Sequence, residues 1–168
     1  MPMLQKKKDH RIIFVSSLTY HSAKIKDYAF LQTNEENETK AYGLSKAAIA
    51  QLFIHLKNQE KLKVTLMHPG ISSTNIYSSS NNSFPKWFQK LAHIFLPLFT
   101  HSPRKACLGI VKLALDDSIE NGTILAPRGP WEIQGFPKKR KLPKKLYKNY
   151  EHLIEETEKI LKEEKKHA

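Results

Sequence analysis

Apolar residues along this chain recur at two different spacings, and the changes of spacing mark its elements. Ile12-Ile13-Phe14-Val15 is an unbroken apolar run, the pattern of a parallel strand covered on both faces. From Ala41 to about Lys57 the apolar positions Leu44, Ala48, Leu52, Phe53 and Leu56 repeat at helical spacing. Lys63 to His68 reads as a second strand, so strand, helix and strand form a βαβ unit with a right-handed crossover. Residues 18–40 read as a loop with the acidic tip Asn34-Glu35-Glu36-Asn37-Glu38. A serine- and asparagine-rich stretch, Ser72 to Ser83, follows Pro69-Gly70. Phe84, Trp87, Phe88, Leu91, Ile94, Phe95 and Leu98 then mark an amphipathic helix that Pro97 ends or kinks.

Ser102-Pro103 has the form of an N-cap and first helical residue. The helix it starts, reaching about Leu115, is expected to turn Cys107, Ile110, Val111 and Ala114 inward. Asn121-Gly122 turns the chain into a last strand, Thr123 to Ala126. Pro127 to Leu142 reads as a loop, and a final helix from about Pro143 carries Leu146, Tyr150, Leu153, Thr157 and Ile160 on one stripe. Its charged end, Lys162 to Lys166, is expected to fray. The pattern predicts an α/β fold of about three strands with flanking helices. It fits one domain over residues 1–168, with a polar extension at 1–10 and a C-terminal helix with a charged tail at 143–168.

Composition changes this picture little. With 168 residues, 40% hydrophobic and 26% charged, the chain can bury one ordinary core. The formal charge of +12 is unusual, and much of it sits at Lys6-Lys7-Lys8 and Lys138-Lys139-Arg140-Lys141. No aromatic-and-basic binding module accompanies these runs, so they read as solvated ends and not as a nucleic-acid surface. One cysteine, Cys107, cannot form an internal disulfide. The eight histidines show no metal-ligand spacing, and no metal site is expected. Without an apolar leader or a long apolar run, the expected location is the cytoplasm.

Candidate chemistry centres on Tyr42-Gly43-Leu44-Ser45-Lys46. A tyrosine and a lysine four apart share one helix face. A cation there favours phenolate over phenol and readies the tyrosine to exchange a proton with a substrate oxygen. Upstream, the first strand ends in Ser16-Ser17. Downstream, the second ends in His68-Pro69-Gly70, followed by Ile71-Ser72-Ser73-Thr74. Strand-Ser-Ser, Tyr-x-x-x-Lys and strand-Pro-Gly-x-x-x-Thr, in that order, resemble the short-chain dehydrogenase/reductase family. The insert between Ser17 and Tyr42 looks most like its retinol-dehydrogenase-like branch, and the resemblance runs from about Arg11 to about Lys141.

The resemblance implies a partial Rossmann-type, doubly wound parallel sheet. It also implies an NAD(P)-dependent oxidoreductase that moves a hydride between a nicotinamide and an alcohol or carbonyl carbon. It makes Tyr42 the acid/base and Lys46 its partner and a ligand of the nicotinamide ribose. Ser17 becomes the partner of the substrate oxygen, with Ser16 as the fallback. Pro69 and Gly70 would carry the backbone past the nicotinamide, and Thr74 would bond its carboxamide. Residues 84–117 take the position of substrate-lid helices, which points to a small hydrophobic alcohol or carbonyl substrate. A membrane-surface helix is the rival for Phe84 to Phe99, because Lys86 and Lys90 flank Trp87 and Phe88.

One departure from the family is large. Its members begin with a Gly-rich turn that holds the cofactor pyrophosphate. The six glycines here, at 43, 70, 109, 122, 129 and 135, form no such turn. The chain therefore reads as an N-terminally truncated or split oxidoreductase, weak or inactive alone. It would be completed by a complementary N-terminal fragment or held in a homo-oligomer. The choice between NAD and NADP stays open. The alternative is a non-enzymatic remnant or interaction module that keeps part of the fold.

Overall fold

Strand β1 (Ile12–Val15) and strand β2 (Val64–Met67) lie parallel, with Ile12 opposite Val64 and Val15 opposite Met67. They belong to a computed structural model that describes residues 10–25, 38–59, 62–72 and 101–167. Helix α1 (Glu38–Lys57) connects the two strands, completing the expected βαβ unit. Short helix α2 (Pro103–Ala106) and helix α3 (Leu108–Leu115) lead to strand β3 (Ile124–Pro127), which pairs parallel with β2. Strand β4 (Pro137–Lys139) then returns antiparallel on β3, and helix α4 (Tyr150–His167) follows. The sheet order is β1-β2-β3-β4. This is an α/β fold with a mostly parallel sheet flanked by helices, compatible with part of a Rossmann-type sheet.

Period-two alternation divides the core between the two faces of the sheet. Ile12, Phe14, Val64 and Leu66 pack with Ala47, Ala50, Phe53 and Ile54 of α1 and with Leu146. Ile13, Met67 and Leu125 pack on the other face with Ile110, Leu113 and Ile119. β2 and β3 are buried throughout, whereas Ile12, Ile13 and Phe14 of β1 are only half-buried and Val15 is exposed. Among the described residues nothing pairs with the outer side of β1, so an apolar run of the kind expected at a sheet centre stands at its edge.

Several expectations need correction. The segment 127–142 is not simply a loop, because Pro137–Lys139 forms β4. Its basic residues carry no strand pattern. Backbone pairing builds the hairpin, with Arg128 N–H donating to Phe136 O at 3.0 Å and Arg140 N–H to Ile124 O at 2.9 Å. The helix begun by Ser102 breaks at Cys107, although Ser102 Oγ does accept from Lys105 N–H. Gly109 and Leu113 turn inward there, while Cys107, Val111 and Ala114 are exposed. A Cβ on Gly109 would meet Met67 Cε at 2.6 Å, so the missing side chain sets which face docks.

In α1, Leu52 is exposed and Gln51 is fully buried. The Gln51 amide donates to the carbonyls of Leu146 and Lys148, which end a 3-10 turn at Lys144–Tyr147. The last α-helix starts at Tyr150, not Pro143, and stays helical through Lys162–Lys166. The guanidinium of Arg11 bonds the carbonyls of Leu113 and Asp116, placing a cation at the C-terminal end of α3. The acidic tip, the serine-rich stretch, Thr74 and the Phe84–Phe99 helix lie outside the described residues.

Candidate functional site

The three parallel strands end on one side of the sheet, where the segments leaving β1 and β2 carry Ser16, Ser17, Pro69 and Gly70 and helix α1 carries Tyr42 and Lys46. Ligands of open parallel sheets bind at this carboxyl edge. Ser16, directly after β1, is buried, and its hydroxyl donates to Lys46 O at 2.8 Å. That bond ties the strand end to α1 and engages the Ser16 proton. Ser17 caps the 3-10 turn Leu18–His21, its Oγ accepting from Thr19 N–H at 3.3 Å. Accepting leaves the Ser17 hydroxyl proton available to another acceptor.

Tyr42 is about half exposed on α1. The Lys46 ammonium lies 5.6 Å from the centroid of its ring, within cation–π range. It also donates to Val15 O at 3.4 Å. The fold thus gathers Ser16, Ser17, Tyr42 and Lys46 around the end of β1. No hydrogen bond joins either serine hydroxyl to Tyr42 among the described residues.

Pro69 and Gly70 turn the chain at the end of β2. Gly70 has φ of +75°, and a Cβ there would stand 2.2 Å from Ile133 O and 2.8 Å from Pro127 Cγ. Only glycine fits this left-handed, closely approached position. The turn is held from two sides. Ile71 N–H donates to Ile133 O at 2.8 Å, and His101 Nε2 donates to Pro69 O at 2.6 Å.

Sequence reasoning missed a buried polar cluster beneath this turn. His68 is fully buried, and its Nδ1 accepts from Gly70 N–H at 3.2 Å. The ring proton therefore sits on Nε2, which donates to Glu132 Oε2 at 2.8 Å. Glu132 Oε1 is also ion-paired with Arg140 Nε at 3.2 Å, and Oε2 lies 3.5 Å from His21 Nε2. Tyr20 packs edge-on against His68, their ring centroids 5.5 Å apart. Burial pushes His68 below its ordinary pKa, and the Glu132 carboxylate only partly counters that. Burial, aided by the Glu132 charge, pushes the Tyr20 phenol upward.

Trp131 and Glu132 both adopt left-handed backbone, with φ of 49° and 59°. Such strain persists where surrounding contacts fix it, and here the bonds from His68 and Arg140 hold Glu132. The cluster fastens the β3–β4 hairpin to the turn after β2. The position of His68 at a strand end was the only local signal, since its partner lies 64 residues away.

No family model matches the chain, and no curated protein matches it. Its fold is similar to that of a solved structure of an uncharacterized protein from Mycobacterium paratuberculosis. The TM-score is 0.50 at 16% identity, and the match covers 82% of this chain and 44% of that one. The chain thus spans less than half the length of that structural relative. Among the described residues no helix is long and apolar enough to cross a membrane.

Proposed function

We propose that this chain carries the catalytic and nicotinamide-side portion of an NAD(P)-dependent short-chain oxidoreductase. The observation that supports this most is the grouping of Tyr42, Lys46 and Ser17 around the end of β1, at the carboxyl edge of a parallel sheet. Tyr42 is exposed enough to meet a substrate, and its hydroxyl gives a proton to a carbonyl oxygen or takes one from an alcohol. Ser17 donates to the same oxygen and orients it. Lys46 stands over the Tyr42 ring, its ammonium 5.6 Å from the ring centroid. A bound nicotinamide cofactor supplies or accepts the hydride.

The chain's own residues fit one end of that cofactor. Pro69 and Gly70 are half-buried at the end of β2, and Tyr42 and Lys46 are at least partly exposed. The pyrophosphate end has no counterpart among the described residues. Gly129 and Gly135 pack against each other inside the hairpin loop instead of opening a long helix. A complementary N-terminal portion would complete the site. A hydrophobic substrate and a cytoplasmic location belong to this proposal as well.

The test joins this chain to a Gly-rich N-terminal half from a short-chain reductase and compares Tyr42→Phe with the parent. Loss of the transferable proton is expected to lower turnover about a hundredfold or more. Near-normal turnover in the phenylalanine variant would refute the assignment. The open side of β1 favours a second reading, an interaction module that pairs with another strand. In that case Tyr42→Phe leaves partner binding untouched and neither fused protein turns over.

A further inference from the structure

The turn after β2 rests on an imidazole nitrogen that can accept a hydrogen bond in only one protonation state. His68 Nδ1 accepts from Gly70 N–H at 3.2 Å, while Nε2 donates to Glu132 Oε2 at 2.8 Å. Neutral imidazole offers this one acceptor and one donor, whereas imidazolium carries protons on both nitrogens. A proton added at Nδ1 would face Gly70 N–H, donor against donor. The ring is poorly placed to turn away. It is fully buried, Tyr20 packs edge-on against it, and a carboxylate holds an imidazolium more strongly than an imidazole. The backbone is better placed to move. Gly70 N–H and Pro69 O belong to one peptide plane, and Pro69 O accepts on its other side from His101 Nε2 at 2.6 Å. Turning that plane over would exchange the two groups, so Pro69 O would accept the new Nδ1 proton. The flip would carry Gly70 from φ of +75° to negative φ, and glycine is at ease on both sides.

We propose that protonation of His68 flips the Pro69–Gly70 peptide, which makes the turn after β2 a proton-operated switch in an otherwise folded sheet. On the far side Gly70 N–H then meets His101 Nε2, which accepts it once the His101 ring proton moves to Nδ1. That Nδ1 has no hydrogen-bond partner for the move to displace. Ile71 N–H, on the next peptide, keeps its bond to Ile133 O, so the hairpin loop stays anchored. The surroundings of His68 set where the switch operates. Burial opposes the proton most, His21 and Arg140 add to that, and the Glu132 carboxylate partly offsets them. The switch therefore lies below the ordinary histidine range near pH ~6.5. It stands without the hydride-transfer reading, because it uses none of Ser17, Tyr42 or Lys46.

The experiment titrates the full chain, isotopically labelled, from about pH 7.5 to about pH 5 and follows it by NMR. The His68 ring should pass from one bare and one protonated nitrogen to two protonated ones. With the same midpoint, the Gly70 amide–Hα couplings should change from those of positive φ to those of negative φ, and the His101 ring should change tautomer. The Leu66 amide, which donates to Thr123 O inside the sheet, should hold its position. His68→Asn keeps an acceptor oxygen near the place of Nδ1 but cannot titrate, so Gly70 should keep its positive φ throughout. His21→Gln should leave the Gly70 transition in place. Should the asparagine variant fail to fold, the midpoints in the unaltered chain decide alone. A Gly70 that keeps its couplings while His68 titrates overturns the proposal, as does a His68 ring that stays neutral across the range. A transition that persists in His68→Asn, or is lost in His21→Gln, overturns it too. Loss of the Leu66 signal together with that of Gly70 would mean unfolding, not a switch, and also overturns it.

Discussion

Replacing Gly70 with alanine tests how the hairpin loop and the turn after β2 are fitted together. Two penalties add at this position. An L-residue at φ of +75° costs about 1–2 kcal/mol. The new Cβ would also stand 2.2 Å from Ile133 O and 2.8 Å from Pro127 Cγ, so the hairpin loop must withdraw. Withdrawal breaks the bond from Ile71 N–H to Ile133 O, 2.8 Å long, at about 0.5–1.5 kcal/mol. The sum is about 1.5–3.5 kcal/mol.

Gly122 provides the control. Its φ is +78°, but the nearest atom to an added Cβ is Lys57 Cδ at 3.7 Å, an ordinary contact. Gly122→Ala should therefore incur only the backbone penalty, about 1–2 kcal/mol. Urea unfolding followed by far-UV circular dichroism reads both variants. With a slope of about 2 kcal/mol per molar, the midpoint should fall by about 0.75–1.75 M for Gly70→Ala and about 0.5–1 M for Gly122→Ala. The slopes themselves should not change. Equal midpoints in the two variants would refute the packing half of the reasoning.

Acid should weaken the fold through His68. Its folded pKa lies below the ordinary value, so between that ordinary value near 6.5 and the lower folded one the unfolded chain binds the extra proton. Stability from this group is therefore full above pH ~6.5 and declines as pH falls below it. Thermal melts from pH 7.5 to 5 should show this slope, and His68→Gln should flatten it; an unchanged slope would refute the role given to His68. The outer side of β1 is expected to drive self-association or capture of a complementary strand. β1 pairs with β2 through residues such as Ile12 and Ser16, so the Val15 amide faces outward. Val15→Pro removes that donor where an edge strand tolerates proline, and should shift light-scattering mass toward monomer. Unaltered mass would exclude the edge as the route.

Local pattern determined much of this protein. The apolar runs at Ile12 and Val64, the helical spacing from Leu44 to Leu56 and the Ser102-Pro103 cap each specify an element through interactions within a few residues. Their order specifies the βαβ unit, and with it the gathering of Ser17, Tyr42 and Lys46 at one strand end, because a right-handed crossover leaves few alternatives. Long-range partners decided the rest. Lys138 and Lys139 become a strand only because β3 offers unpaired backbone groups, and a basic side-chain pattern carries no trace of that. Gln51 is buried because two carbonyls of a turn 95 and 97 residues later need a donor. Gly109 and Leu113, and not Cys107 and Val111, face the sheet because Met67 fills the space a Cβ would take. His68 and Glu132 form a pair only once the hairpin folds over the turn. Hydrophobic period is a property of neighbours along the chain. Satisfying a buried polar group or fitting a side chain into a gap depends on partners that only tertiary folding brings near.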